Sequence, residues 1–113
     1  MKTYKGRREG HIIEVTANGR PLDPRFDLWG HSPTGFEWGY GGSGPAQLAL
    51  ALLADHTGDD EEAVMLHQDF KRLVVARLPF RGWELTVAHC SARAVVSGCP
   101  DAILSANAAN SRR

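Results

Sequence analysis

A chain of 113 residues has room for one domain, and a content of 42% hydrophobic with 23% charged residues is that of an ordinary globular protein, which excludes disorder throughout. Thirteen basic and thirteen acidic residues cancel, so no overall field gathers nucleic acid or an anionic membrane surface, and any such binding needs a local patch. No stretch approaches the roughly eighteen apolar residues of a membrane span, and the opening MKTYKGRREG lacks the apolar run of a secretory signal, so the chain reads as cytoplasmic and without membrane contact.

The first elements alternate as strands do. Thr3-Tyr4-Lys5 and His11-Ile12-Ile13-Glu14-Val15-Thr16, with Gly10 between them, predict a hairpin. Asn18-Gly19 is a strong turn dipeptide, because both residues tolerate positive φ, and Pro21 then limits further ladder pairing while Leu22 tucks back onto the sheet. From Asp23 to Gly44 the chain mixes prolines, glycines and aromatics, the composition of a long ordered loop with a short extended piece at Phe36-Glu37-Trp38.

Pro45 fits the first position of a helix, with Gly44 or Ser43 as its cap. The segment AQLALALLAD is apolar on nearly every face apart from Gln47, which predicts a helix at the centre of the core and allows homodimerisation if one chain leaves it uncovered. Thr57-Gly58 ends it. Asp59 with Glu62 forms a capping-box-like start for a second helix, in which Ala63, Leu66, Phe70, Leu73 and Val74 recur at helical spacing until Pro79. Trp83-Glu84-Leu85-Thr86-Val87 alternates again as a strand. After His89 the pattern weakens, with a short element near Ala94-Val95-Val96 and a fraying tail after Leu104 expected. The expected architecture is an α+β domain over residues 1–90, a small antiparallel sheet against two consecutive helices, with a partly flexible extension over residues 91–113.

The glycines of GFEWGYGGSGPAQ raise a chemical question. Gly39, Gly41 and Gly44 satisfy G-x-G-x-x-G, but the chain is too short for repeated βαβ units, and the acids at the right distance, Asp60, Glu61 and Glu62, open a helix instead of ending a strand. Pro45-Ala46 stands where a triphosphate-binding loop needs Lys and Ser or Thr. What survives is a helix N-terminus able to meet an anion or small ligand through Gly41, Gly42, Ser43, Gly44 and Gln47, beside the plainer reading of a glycine-rich turn packed closely under its aromatics.

Trp29, Phe36, Trp38 and Tyr40 place four of the chain's nine aromatics within twelve residues of this loop. They either give the loop its own core or present anchors to a protein partner. The basic residues Lys5, Arg7, Arg8 and Arg20 offer a local nucleic-acid surface if the hairpin gathers them, and otherwise act as solvated edge-strand charges. The five histidines show no zinc-binding spacing; His31 with Glu37 is the one acid/base pair the loop suggests, and His89 beside Cys90 forms no dyad by adjacency. Cys90 and Cys99 are too few and too far apart for a disulfide framework or a redox motif. The sequence assigns no catalytic residue, metal or cofactor, and its chemistry points away from an enzyme.

The stretch GFEWGYGGSGPAQLALALLAD, followed by LHQDFKRLVVARLP and Trp83-Glu84-Leu85, resembles a small bacterial family of unknown function associated with plasmids, phages and other mobile elements. Tyr4 and Gly6 and the Ala17-Asn18-Gly19 turn belong to the same pattern, which covers about residues 3 to 87 and leaves the segment after His89 outside. The resemblance implies a compact cytosolic accessory protein that binds a host or rival protein, as small inhibitors of bacterial defence systems do. The resulting expectation is a non-enzymatic interaction module that uses the Gly/aromatic loop, with a small-ligand or nucleotide-binding domain and a local nucleic-acid binder as alternatives.

Overall fold

Alternation of inward and outward side chains fixes which residues of the first strand meet the core. A computed structural model of the protein describes residues 2–10, 12–32, 35–87 and 103–108, and in it β1 (Lys2–Glu9) turns Tyr4 and Gly6 inward and leaves Lys5 and Arg7 exposed. β2 (Ile12–Ala17) pairs with β1 in the expected hairpin, antiparallel, Gly6 opposite Val15 and Tyr4 opposite Ala17. Asn18 and Gly19 take the positive φ values of 49° and 84° that the turn requires, and the Asn18 side chain accepts from the Thr3 N–H at 2.9 Å. β3 is only Arg20–Pro21, after which Leu22 is buried and donates its N–H to Val15 O.

β4 (Gly82–Val87) lies antiparallel on the other side of β1, with Trp83 opposite Gly6 and Leu85 opposite Tyr4. β5 (Ile103–Ala108) pairs in turn with β4, so among the described residues the sheet has five strands in the order β3-β2-β1-β4-β5. The expected fraying after Leu104 therefore does not hold over residues 103–108. The element expected near Ala94-Val95-Val96, the lone pair His89 and Cys90, and Cys99 lie outside the described residues, as does His11.

α1 (Ser43–Thr57) is buried continuously from Gly44 to Ala54. The sheet supplies Tyr4, Val15, Trp83 and Leu85 to the same core, and α2 (Asp60–Leu73) packs against α1 with Ala63, Leu66 and Phe70. A helix without a polar face needs cover on all sides, and from Gly44 to Ala54 the described residues provide it. Gly58 closes α1 at φ 70°, its N–H bonded to Ala54 O, and Asp59 accepts from the Glu62 N–H at 3.1 Å as the capping pattern predicts. Leu73, expected inside, is 41% exposed; the buried stripe of α2 runs through His67 instead. A single 3-10 turn, Val75–Arg77, then brings the chain back to β4. The result is the expected α+β architecture.

Candidate functional site

Gln47, in the first turns of α1, is a polar side chain that is fully buried. Its Oε1 accepts from the N–H groups of His31 (2.7 Å) and Ser32 (3.2 Å), and its Nε2 donates to the carbonyls of Pro24 (2.7 Å) and Trp29 (2.9 Å). All four bonding positions of the amide are taken by one loop. Gln47 therefore holds residues 24–32 against α1 and has nothing left for a ligand. That corrects its expected place in an anion site.

Arg25 ties the same loop to the start of α2. Its backbone sits at φ 58°, rare for a residue with a side chain, with its N–H bonded to Asp23 Oδ1. Its guanidinium forks onto Asp27 and, at 2.9 and 3.1 Å, onto Asp60. The hydrogen bonds it donates to these carboxylates hold the Arg25 pKa above its ordinary value, and Asp27 is correspondingly lowered, first by Arg25.

On this fixed loop stands Trp29, half exposed, with its ring stacked on His31 at 4.7 Å and 15°. His31 Nε2 lies 2.8 Å from Nε2 of His67, which is buried in α2, and His67 Nδ1 lies 2.6 Å from Val64 O. A carbonyl only accepts, so His67 carries its proton on Nδ1 and accepts at Nε2 from His31. Burial first, then the neighbouring His67 and Lys71, lower the His31 pKa. Neither this pair nor the buried position of His67 was visible in the sequence, since residues 36 positions apart share no local pattern.

The other loop aromatics divide. Trp38 is fully buried, donates its indole N–H to Phe80 O at 2.8 Å and meets Trp83 edge-on at 5.6 Å. It is a core residue and not a contact residue. Phe36 is half-buried against the core, and Tyr40 is about half exposed. Of the four aromatics expected to bind a partner, Trp29 and Tyr40 offer surface.

The glycines serve close packing. A Cβ on Gly44 would stand 2.6 Å from Glu37 Cβ, and Gly39, at φ 86°, donates its N–H to Val75 O. Gly42 precedes the first turn in extended backbone, with no side chain capping the helix, and Gly41 and Ser43 are exposed. Gly44 and Gln47 are buried, so the five expected ligand residues do not line one pocket. A cavity of about 320 Å³ lies elsewhere, against the later turns of α1, lined by Leu22, Asp23, Arg25, Ala51, Ala54 and Asp55. Buried Tyr4 donates to Asp55 Oδ2 there at 2.8 Å, and burial together with that bond pushes its phenol above its ordinary pKa.

The basic residues do not gather. Arg8 points to the helical side, where it meets both oxygens of Glu37 (2.6 and 3.0 Å), donates Nε to Phe80 O, and lies 3.8 Å from the Phe80 ring centre. That fork raises the Arg8 pKa and holds the Glu37 carboxyl below its usual range. Glu37 is thereby Arg8's partner and not that of His31. Lys5 and Arg7 occupy the opposite face, paired across strands with Glu84 and Glu14, and Arg20 is on the edge strand. The nucleic-acid surface expected of Lys5, Arg7, Arg8 and Arg20 is split between two faces. Among the described residues, no three His, Cys, Asp or Glu side chains converge as a metal site, and no helix is long and apolar enough to cross a membrane.

No curated protein and no solved structure matches the chain. A model for a family of unknown function (DUF6166) matches residues 4–97, a span that continues past Val87 and past residue 90, where the resemblance and the domain boundary were expected to end. The matched span contains the Gln47-pinned loop, the His31–His67 pair and the Arg8–Glu37 fork, and by it the chain belongs to that family.

Proposed function

We propose that the protein is a non-enzymatic interaction module whose contact surface is centred on Trp29 and extended by Tyr40. The observation that carries the reading is that Trp29 remains half exposed on a loop that Gln47 and Arg25 fix on two sides. A large aromatic held in place before binding loses little conformational freedom on contact, which is what an anchor residue needs. The partner implied by the resemblance is a host or rival protein met by a mobile element, with a component of a bacterial defence system as the specific form of the proposal.

The test places a photo-crosslinking residue at Tyr40 and, separately, at Met65, which is exposed on α2. A bacterial protein joined from position 40, absent from position 65 and lost in a folded Trp29→Ala variant supports the reading. Equal labelling from both positions, or capture that survives Trp29→Ala, defeats it. The small-ligand alternative moves from the helix N-terminus to the cavity beside Asp55, where a walled space exists.

A further inference from the structure

We propose that the His31–His67 pair is a proton-operated latch, which holds the Trp29 arm on α2 at neutral pH and lets it go on mild acidification. Val64 O fixes the proton of His67 on Nδ1, leaving a bare lone pair on Nε2, and the Nε2–H of His31 donates into it across 2.8 Å. The chain His31 N–H to His67 N–H to Val64 C=O has one direction and needs His67 neutral.

A first proton on His31 Nδ1 leaves this chain intact. A second proton, on His67 Nε2, does not, because with both rings charged two N–H groups face each other over a distance at which one must accept. His67 is 1% exposed, so water does not disperse that charge. The groups around the pair offer no relief: Lys71 faces it from α2 as a further cation, α1 contributes the uncharged Gln47, Gln68 brings an amide within 3.4 Å of His67 Nε2, and the loop contributes the Trp29 ring.

Once apart and hydrated, the His31 ring takes up a proton near the ordinary histidine value of about 6.5. The released arm thus binds more protons than the latched one, and the lowered pKa of His31 has the same sign. The latch is complete above about pH 6.5 and weakens as pH falls below it, by up to about tenfold per pH unit for each extra proton bound. Release is local. The bonds from Gln47 to the backbone of residues 24–32 involve no titrating group, so the loop stays attached while the stacked rings of Trp29 and His31 leave α2.

For binding, the inference rests on the reading of Trp29 as the anchor, and a released anchor predicts capture at least tenfold weaker at about pH 5 than at about pH 7.5. The latch itself is measured without a partner, by acrylamide quenching of Trp29, isolated as the difference between wild type and Trp29→Phe, with circular dichroism on the same samples. Wild type is expected to show quenching that rises between about pH 7.5 and about pH 5 with unchanged circular dichroism. His67→Gln keeps an acceptor that does not titrate, and its quenching is expected to stay at the neutral-pH level. His31→Gln, on the outer member of the pair, repeats that test if His67→Gln fails to fold. Flat quenching in wild type, or the same rise in a folded Gln variant, overturns the latch. A rise that leaves partner capture unchanged keeps the latch and removes the contact-surface reading.

Discussion

The indole of Trp83 crosses β1 at Gly6, so closely that a Cβ at position 6 would stand 2.3 Å from its Cε2 and Nε1 atoms. Trp83 is fully buried and held edge-on against Trp38, so it has no room to withdraw. Gly6→Ala is expected to destabilise the protein by about 1–3 kcal/mol as an overpacked core position. Gly41→Ala, where nothing stands within 4 Å, is expected to change stability by less than about 0.5 kcal/mol. Urea midpoints at constant slope measure both.

The two buried tryptophans differ in one atom's surroundings. Trp38 donates its N–H to Phe80 O, whereas the Trp83 N–H has no partner among the described residues. Replacing each by Phe removes similar ring area but only one hydrogen bond. Trp38→Phe is therefore expected to cost about 1 kcal/mol more than Trp83→Phe, and equal losses in parallel denaturation curves would contradict this account.

Gln47→Leu leaves two N–H groups and two carbonyls of one loop without their partner. The loop lies at the surface, so water replaces part of the loss, and the expected cost is about 2–4 kcal/mol. The sharper sign is local. Hydrogen exchange at the amides of His31 and Ser32 is expected to quicken far more than at Leu50 in the middle of α1.

The Arg8–Glu37 fork sets part of the acid limb of stability. Because Glu37 is held below its ordinary range in the folded protein, the unfolded chain takes up the proton first. Its stabilisation is full above the ordinary glutamate pKa of about 4.3 and disappears as pH falls through the lowered folded value. Glu37→Gln is expected to flatten the fall in stability over that window, converging with wild type at the acid end. Arg8→Lys keeps the charge but loses the fork and the stacking on Phe80, and is expected to cost about 1–2 kcal/mol near neutral pH.

Much of the fold was legible because its signals are local. Asn18-Gly19, the Asp59–Glu62 cap and the apolar run of α1 each specify their geometry within a few residues. β5 was not legible, since Ile103–Ala108 is rich in small and polar residues and owes its strand form to pairing with β4. The site was less legible than the fold. Arg8 reads as a surface charge until Glu37 and Phe80 enclose it, Gln47 reads as the one flaw in an apolar helix until a loop uses all four of its bonds, and His67 joins His31 only through the tertiary fold. In the glycine loop, sequence spacing suggested ligand chemistry at positions whose lack of a side chain is used to bring backbones together.

The place of β1 in the sheet has a consequence during synthesis. Its hairpin with β2 can close as soon as Ala17 has left the ribosome, but its other edge waits for Gly82–Val87, after both helices have been made. Until then an unpaired strand edge and an apolar helix are exposed together, the combination most prone to aggregate. Docking of β4 pairs that edge of β1 and brings Trp83 and Leu85 onto the core, so a nascent chain halted before residue 82 is a substrate for chaperones, and the outer edge of β4 then waits in turn for Ile103–Ala108.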